Sequence, residues 1–179
     1  RREDLPVRYG GDEFAAILPR TSQADAQAVL ERVRARVESE FREAGVTVSI
    51  GLAVSPQDGE TPKTLVARAD ELLYRVKEFG KNRVGGMKTI RLVYRPDPQA
   101  GPLPQQVTVV GDFNGWDRAQ GRMAFNMEHQ MWVGELRLKP GTYRYKMLLD
   151  KDRWIEDPRA LDRAPDGYGG FSSVTKVGF

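Results

Sequence analysis

The order of apolar and polar positions divides the chain into two halves of different periodicity. In residues 1–86, short apolar runs alternate with longer segments in which apolar residues recur every three or four positions. The first pattern is typical of strands and the second of amphipathic helices. In residues 87–179, short alternating segments are separated by Gly, Pro and Asp turns, which is typical of a sandwich of strands. The pattern therefore predicts an α/β unit followed by an all-β unit.

The first half is predicted to contain a hairpin, two helices and one further strand. The segments 5–8 and 14–18 flank a Gly-Gly-Asp-Glu turn and form the hairpin. The β-branched run 46–54 predicts a mostly buried strand. Residues that favour helix ends bound the two helices: Ser22 and Gly45 for the first, and Thr61, Pro62 and Gly80 for the second.

Six strands are predicted in the second half. They are Ile90–Tyr94, Val107–Val110, Met131–Leu138, Thr142–Leu149, Trp154–Glu156 and Ser173–Val177. Since side chains alternate between the two faces of a strand, Trp132 is predicted to face the core. By the same rule Tyr143 and Tyr145 point inward, while Arg144 and Lys146 point outward. Trp116 and Trp154 lie in or beside turns and do not fit an inward pattern.

Composition narrows the possible chemistry. The 179 residues include no cysteine and one histidine, His129, which excludes disulfides, thiolate metal sites and histidine triads. A cysteine-free chain fits a reducing cytoplasm. The net charge of +3 comes from the second half, and neither half has the basic excess of a nucleic-acid-binding domain. No apolar run approaches the ~20 residues of a membrane-spanning helix.

The hairpin turn carries the most informative motif, Arg8-Tyr9-Gly10-Gly11-Asp12-Glu13-Phe14. It resembles the loop that names the GGDEF family of diguanylate cyclases. Further segments resemble that family in the same order, namely 48–53, 67–74 and 77–84. The resemblance implies that residues 1–86 are the C-terminal part of an incomplete α/β domain of the palm-like α+β type. It also implies a parent that condenses two GTP into cyclic di-GMP as a homodimer.

The resemblance also implies roles for single residues. Gly10 and Gly11 would let the nucleotide approach the backbone, and Asp12 and Glu13 would be catalytic carboxylates that bind Mg²⁺ or Mn²⁺. Two cations would bind the terminal phosphates: Lys77 and Lys81. The family usually has Arg at the position of Lys81, and a lysine lacks the bidentate fork of arginine, so weaker GTP binding is expected.

Arg1 and Asp4 form an Arg-x-x-Asp motif five residues before the paired glycines. This motif resembles the inhibitory site of the same family, where arginine and aspartate bind cyclic di-GMP.

The position of the signature loop suggests that the chain is a fragment. In the family, a preceding strand supplies another metal-binding aspartate, and the helices after that strand carry the side chains that read guanine. The expectation is therefore that residues 1–86 alone are poorly stable, catalytically inactive and hold no metal ion. For the parent protein, a membrane anchor upstream of this chain stays an open alternative.

A second resemblance covers residues 87–179. Three segments carry it: Val107–Asp117, Trp132–Lys146 and Asp166–Val174. They are similar to the glycogen-binding module of the AMP-activated protein kinase β-subunit, in carbohydrate-binding module family 48. The implied fold is an immunoglobulin-like β-sandwich, and the implied ligand is an α-glucan such as glycogen. The residues implied to bind it are Trp116, Lys146, Trp154 and Ser172. Ser172 replaces an asparagine that is frequent in the family, so weaker or altered sugar selectivity is expected.

The leading hypothesis is an α-glucan-binding module fused to a truncated diguanylate cyclase domain. Three alternatives stay open at this point. The chain is part of an active cyclase that the module localises, or a non-catalytic receptor of cyclic di-GMP, or an artefactual fusion of two genes near Met87. A purely structural role of the module, without sugar binding, is a further open alternative.

Overall fold

The first elements of the chain are the two strands of a hairpin, β1 (Leu5–Gly10) and β2 (Glu13–Ile17). They belong to a computed structural model that describes residues 2–99 and 101–179, so the Arg1 predicted for an inhibitory site lies outside the described residues. The two strands pair with each other in a two-stranded sheet, with an irregularity between Arg8 and Gly10. Five large apolar residues of this hairpin are more than half exposed: Leu5, Val7, Tyr9, Phe14 and Ile17.

Two helices follow with the predicted N-caps, and the first ends at Glu40, five residues before the predicted Gly45. The first, α1 (Gln23–Glu40), begins after Ser22, whose hydroxyl accepts a hydrogen bond from the Asp25 N–H. A short 3₁₀ turn continues it to Gly45, which adopts the left-handed conformation that glycine tolerates. The second helix, α2 (Pro62–Glu78), begins after Thr61 in a capping arrangement with Thr64.

The predicted strand 46–54 is much shorter than expected. Only β3 (Ile50–Leu52) is a strand, and it pairs in parallel with β4 (Val84–Gly86). The backbone hydrogen bonds of a strand need a neighbour, and β4 offers three residues. Val46 is 47% exposed rather than buried. The core of this unit includes a cluster of Ala26, Leu52 and Val84 with four partly buried apolar neighbours, and α2 adds the fully buried Leu72 and Val76.

The second unit, Met87–Gly178, consists of two antiparallel sheets. The three-stranded sheet has the order β5-β8-β7, with β5 (Lys88–Tyr94), β7 (Ala124–Asn126) and β8 (Met131–Leu138). The five-stranded sheet is centred on β9, with β6 (Val107–Gly111), β9 (Gly141–Leu149), β10 (Arg153–Ile155), β11 (Asp162–Pro165) and β12 (Phe171–Val177). The prediction of an α/β part followed by an all-β sandwich is confirmed.

The core of the sandwich draws on both sheets. Leu92 and Trp132 come from the three-stranded sheet, while Val109, Tyr145 and Met147 come from the five-stranded sheet. Trp132 is 8% exposed and stacks at a tilt on Phe125, with 5.1 Å between ring centroids. The sequence prediction that Trp132 faces the core is therefore confirmed.

Two buried hydrogen bonds meet at Asp157 beside this core. The Tyr145 hydroxyl donates a 2.7 Å hydrogen bond to Asp157, and the Asp157 N–H donates to the Ser173 hydroxyl. Burial raises the pKa of Tyr145, and the adjacent Asp157 carboxylate raises it further. The tyrosine therefore stays a neutral donor and satisfies a carboxylate that would be costly to bury alone.

The strand β4 of the first unit was not predicted from the sequence. Two strands of the second unit, β7 and β11, were also not predicted. Both are only three or four residues long and lie at sheet edges, where β7 pairs with β8 and β11 pairs with β12. The β11 sequence Asp-Arg-Ala-Pro has no apolar alternation, so only the neighbouring strand defines it. In the described part of the chain, no helix is long and apolar enough to cross a lipid bilayer.

Candidate functional site

The tip of the β1–β2 hairpin presents the Gly-Gly-Asp-Glu turn to solvent. Gly11 has φ +50°, a left-handed backbone that glycine adopts without strain. The Arg8 guanidinium holds the turn by donating to the Gly11 carbonyl oxygen at 3.1 and 2.7 Å. A Cβ atom added to Gly10 or Gly11 would meet no atom within 4 Å. The backbone of the tip therefore leaves room for a bulky ligand.

Asp12 and Glu13 extend from the same exposed tip. Within residues 2–99 and 101–179, no group of three or more acidic or histidine side chains is arranged to hold a metal ion. Mg²⁺ is commonly held by one or two carboxylates together with substrate phosphates. The two carboxylates at the tip therefore fit a metal ion that arrives with a nucleotide, and they do not form a closed metal cage.

Lys77 and Lys81 lie at the C-terminal end of α2 and just beyond it. Lys77 is in the last turn of the helix, and Lys81 has φ +58° in the turn that follows. The Lys81 N–H donates to the Val76 carbonyl oxygen at 2.9 Å. Both lysines are exposed. The helix end thus presents two cations to solvent, which suits a phosphate, and also suits the negative end of the helix dipole.

A polar cluster that sequence reasoning missed holds the segment after α2 against α1. The Arg34 guanidinium donates to Glu38 at 2.8 Å and to the Asn82 side chain at 3.0 Å. The Asn82 amide donates to Glu38 at 2.8 Å, and the Asn82 N–H donates to the Ser49 hydroxyl at 3.1 Å. The hydrogen bonds from the Arg34 and Asn82 side chains lower the pKa of Glu38. Because Asn82 follows Lys81 directly, the cluster fixes the backbone that carries this lysine.

The register of the five-stranded sheet defines a second site on its outer face. The core-facing residues of β9 include Tyr145, Met147 and Leu149, so Arg144, Lys146 and Leu148 lie on the outer face. Trp154 pairs with Leu148 and therefore lies on this outer face too. The indole is partly exposed, and the Arg118 guanidinium lies 5.0 Å from the ring centroid.

Trp116 is fixed beside the same face by Asp112. The indole Nε1 of Trp116 donates to the Asp112 carboxylate at 3.1 Å. The other Asp112 oxygen accepts from the Arg144 N–H at 2.9 Å and from the Arg144 guanidinium at 3.3 Å. Burial raises the pKa of Asp112, but the hydrogen bonds from Arg144 and Trp116 outweigh it, and the net shift is downward. The carboxylate is therefore ionised at neutral pH and orients the indole.

Lys146 is not a free cation in the structure, because its ammonium donates to Asp166 at 2.6 Å. Asp166 also accepts from the N–H groups of Tyr168 and Gly170, at 2.8 and 2.9 Å. The two N–H bonds lie within the loop 166–170, and the Lys146 bond ties this loop to β9. Tyr168 at the tip of this loop is 96% exposed. Sequence reasoning missed Tyr168, and the signal was an aromatic residue inside the Asp-Gly-Tyr-Gly-Gly turn.

Ser172 is more deeply buried than we expect of a residue that contacts a ligand. It is 2% exposed and pairs with Ala164 on β11. Because Ser173 pairs with Tyr145 on β9, Ser172 lies one residue away on the face of Lys146. The structure thus brings Trp116, Lys146 and Trp154 to one face, with Ser172 beneath it.

Comparison with known protein families confirms both family resemblances. Residues 1–83 match the model of the diguanylate cyclase GGDEF domain, and residues 103–178 match that of the glycogen recognition site of AMP-activated protein kinase. The chain joins a GGDEF segment to a glycogen-recognition module. The GGDEF segment contains the hairpin tip and the two lysines at and just beyond the end of α2, and the module contains both partly exposed tryptophans.

Curated relatives resemble the GGDEF segment. The response regulator PleD of Caulobacter vibrioides is 45% identical over 93 residues, which cover 48% of this chain and 20% of PleD. Diguanylate cyclase A of Treponema denticola is 43% identical over 89 residues, covering 47% of this chain and 24% of that protein. Diguanylate cyclase DgcM of Escherichia coli K12 is 40% identical over 87 residues, which cover 47% of this chain and 21% of DgcM. The chain spans about a fifth to a quarter of the length of these relatives.

The Lys146–Asp166 contact predicts that the stability of the glycogen-recognition module falls in acid. Lys146 and the loop N–H groups hold the pKa of Asp166 at about 2, below its usual 3.8. A lowered carboxyl pKa means that the folded state favours the ionised form. The resulting stability is present above pH ~4 and is lost as the pH falls towards 2. Urea unfolding at several pH values, followed by tryptophan fluorescence, measures this loss.

The variant Asp166→Asn is expected to be less stable at pH 7 and to lose less stability than the parent chain between pH 4 and pH 2. Asp152→Asn, at an exposed turn position, is the matched control and should keep the full acid dependence. An identical acid dependence in Asp166→Asn and the parent chain would contradict the prediction.

Proposed function

We propose that the second unit binds α-glucan chains such as glycogen on the outer face of its five-stranded sheet. The observation that carries this proposal is the placement of two partly exposed tryptophans, Trp116 and Trp154, on either side of Lys146. Trp154 adjoins Leu148, and Trp116 reaches Arg144 through Asp112. Lys146 lies between these two residues on β9.

The chemistry of a glucan suits this arrangement. Each glucose unit has an apolar face that packs on an aromatic ring and a rim of hydroxyl groups that need donors and acceptors. Asp112 restricts the rotation of Trp116, so less conformational entropy is lost on binding. Lys146 and Asp166 supply a charged donor and acceptor beside the rings, and Tyr168 adds a third exposed aromatic side chain. Ser172 supports the floor of the site through its packing.

Co-sedimentation of the full 179-residue chain with glycogen tests the proposal. The chain is expected in the glycogen pellet, and it should be released by soluble malto-oligosaccharides. Cellulose, which has β-linked glucose, is the control polymer and should retain much less of the chain. Equal retention by both polymers, or by neither, would refute an α-glucan site.

We propose in addition that the first unit is the part of a diguanylate cyclase that carries the signature hairpin. Gly10 and Gly11 would admit the nucleotide to the backbone, and Asp12 and Glu13 would hold Mg²⁺ or Mn²⁺ with its phosphates. Lys77 and Lys81 would bind the terminal phosphates. A bound metal ion would neutralise phosphate charge and acidify a ribose hydroxyl. The parent protein would then make cyclic di-GMP as a homodimer.

Since GTP and glycogen are metabolites of the cell interior, the proposal includes a cytoplasmic location.

The 179-residue chain by itself is expected to turn over no GTP, because catalysis needs the further metal ligand and guanine-reading groups of the family. Chromatographic detection of cyclic di-GMP after incubation with GTP and Mg²⁺ is the measurement. A longer chain from the same gene that adds an aspartate-bearing strand should produce cyclic di-GMP, and Asp12→Asn in that chain should reduce the rate at least ~100-fold. Turnover by the 179-residue chain would contradict the first expectation.

A further inference from the structure

A groove of about 500 Å³ lies on the outer face of the five-stranded sheet, beyond Trp116 and Lys146. It is a shallow depression that is widely open to solvent, as suits a site for an extended chain rather than an enclosed small molecule. The side chains that matter for its chemistry are Asp112, Thr142, Arg144, Asp162, Val174 and Lys176. The family resemblance did not point to this groove.

The strand register explains why these residues lie together. Arg144 on β9 pairs with Val174 on β12, which in turn pairs with Asp162 on β11. The next row consists of Thr142 and Lys176. Thr142, Arg144 and Lys146 alternate along β9, so all three lie on the outer face. The groove therefore continues the face that carries Lys146.

Asp112 connects the groove to the tryptophan site. One carboxylate oxygen accepts from the indole of Trp116, and the other accepts from Arg144 in the groove. Along β9 the residues from Leu148 to Thr142 span ~20 Å at ~3.4 Å per residue. A ligand that stacks on Trp154 and Trp116 and is long enough would reach the groove without a break.

Four charged side chains of the groove form two ion pairs, and the fifth, Arg163, has its guanidinium over the Phe171 ring, 4.4 Å from the centroid. Arg144 pairs with Asp112 at 3.3 Å, and Lys176 pairs with Asp162 at 2.7 Å. The Lys176 and Asp162 side chains are 70% and 53% exposed, so both can exchange water for a ligand at little cost. Paired donors and acceptors above the apolar Val174 match a neutral polyhydroxyl chain, which is both donor and acceptor and has apolar faces.

We propose that this groove is an extension subsite that binds further glucose units of the same α-glucan chain. The inference rests on the proposed glucan-binding function and adds the expectation that affinity rises with chain length. Lys176 and Asp162 recognise hydroxyl groups of the units that lie beyond Trp116. Short oligosaccharides fill the tryptophan site, and longer chains also fill the groove.

Calorimetric titration of the full chain with malto-oligosaccharides of two to ten units tests the subsite. In the double variant Asp162→Ala/Lys176→Ala, the affinity for the longest chains is expected to fall about 5- to 10-fold, the effect of one or two charged hydrogen bonds. The affinity for the shortest chains that bind should change less than twofold. Loss of an exposed ion pair changes stability little, so the variant should fold. Glu135→Ala, at an exposed position of the three-stranded sheet, is the control and should match the parent chain at every length.

A charge exchange separates ligand recognition from a structural role. Asp162→Lys/Lys176→Asp keeps an ion pair between β11 and β12, so a purely structural role would be rescued by it. Direct recognition would not be rescued, and the length-dependent loss should remain. The subsite is overturned if the parent chain binds long glucans and both double variants bind them equally well. Failure of the parent chain to bind any glucan would instead overturn the proposed function itself.

Discussion

Replacing either partly exposed tryptophan is expected to remove most glycogen binding. We expect Trp116→Ala and Trp154→Ala each to weaken glycogen binding by at least ~30-fold, the effect of losing a central aromatic contact worth ~2 kcal/mol or more. The reason is geometric, because both rings lie beside the outer face of β9 and no other tryptophan is available there. Glycogen co-sedimentation with increasing polymer concentration measures the change.

Two further variants control this experiment. Trp154→Phe keeps a flat apolar ring and should retain part of the affinity, which alanine would lose. Tyr74→Ala removes an exposed aromatic residue of the first unit and should bind glycogen like the parent chain. If both alanine variants sediment with glycogen as the parent chain does, the module has a structural rather than a binding role.

Trp132 is expected to behave in the opposite way, because it supports the fold and not the ligand. It is 8% exposed and packs in the core that joins the two sheets. Trp132→Ala should therefore lower the free energy of unfolding by about 3–5 kcal/mol, the usual cost of removing a large buried aromatic side chain. Loss of glycogen binding should follow only because the module unfolds.

Tryptophan fluorescence in a urea titration separates these two outcomes. All three tryptophans lie in the second half of the chain, so the signal reports on this unit without interference from the first. Trp116→Ala should unfold at nearly the parent urea midpoint while having lost affinity. A Trp132→Ala midpoint equal to that of the parent chain would show that the ring is not part of the core and would contradict the prediction.

Local chemistry explains why the starts of both helices could be predicted from the sequence. Ser22 and Thr61 cap their helices through bonds to N–H groups only three positions away, and Gly45 needs only its own backbone freedom. The hairpin turn at Gly10-Gly11 is equally local, and the Arg8 contact that holds it spans three residues. Such features depend on neighbours in sequence, so the pattern of residues is enough to find them.

Features that depend on distant neighbours were harder to predict. The run 46–54 has strong strand propensity, yet only three residues became strand because the partner β4 is short. The edge strand β11 has little propensity and exists because β12 pairs with it. The alternation of β9 correctly placed Arg144 and Lys146 outside, but it gave no sign that Leu148 on the same face is 2% exposed.

By itself the sequence determined the two fold classes, the helix caps, the buried position of Trp132 and the two family resemblances. Each of these follows from residue type and spacing along the chain. Only the tertiary structure decided that Asp112 links Trp116 to Arg144, that Asp166 engages Lys146, and that Ser172 is buried. The physical reason is that the Asp112–Arg144 and Lys146–Asp166 contacts join residues 32 and 20 positions apart, and that the burial of Ser172 depends on strand pairing. Sequence periodicity fixes which face a side chain takes, whereas pairing between strands fixes which side chains meet on that face.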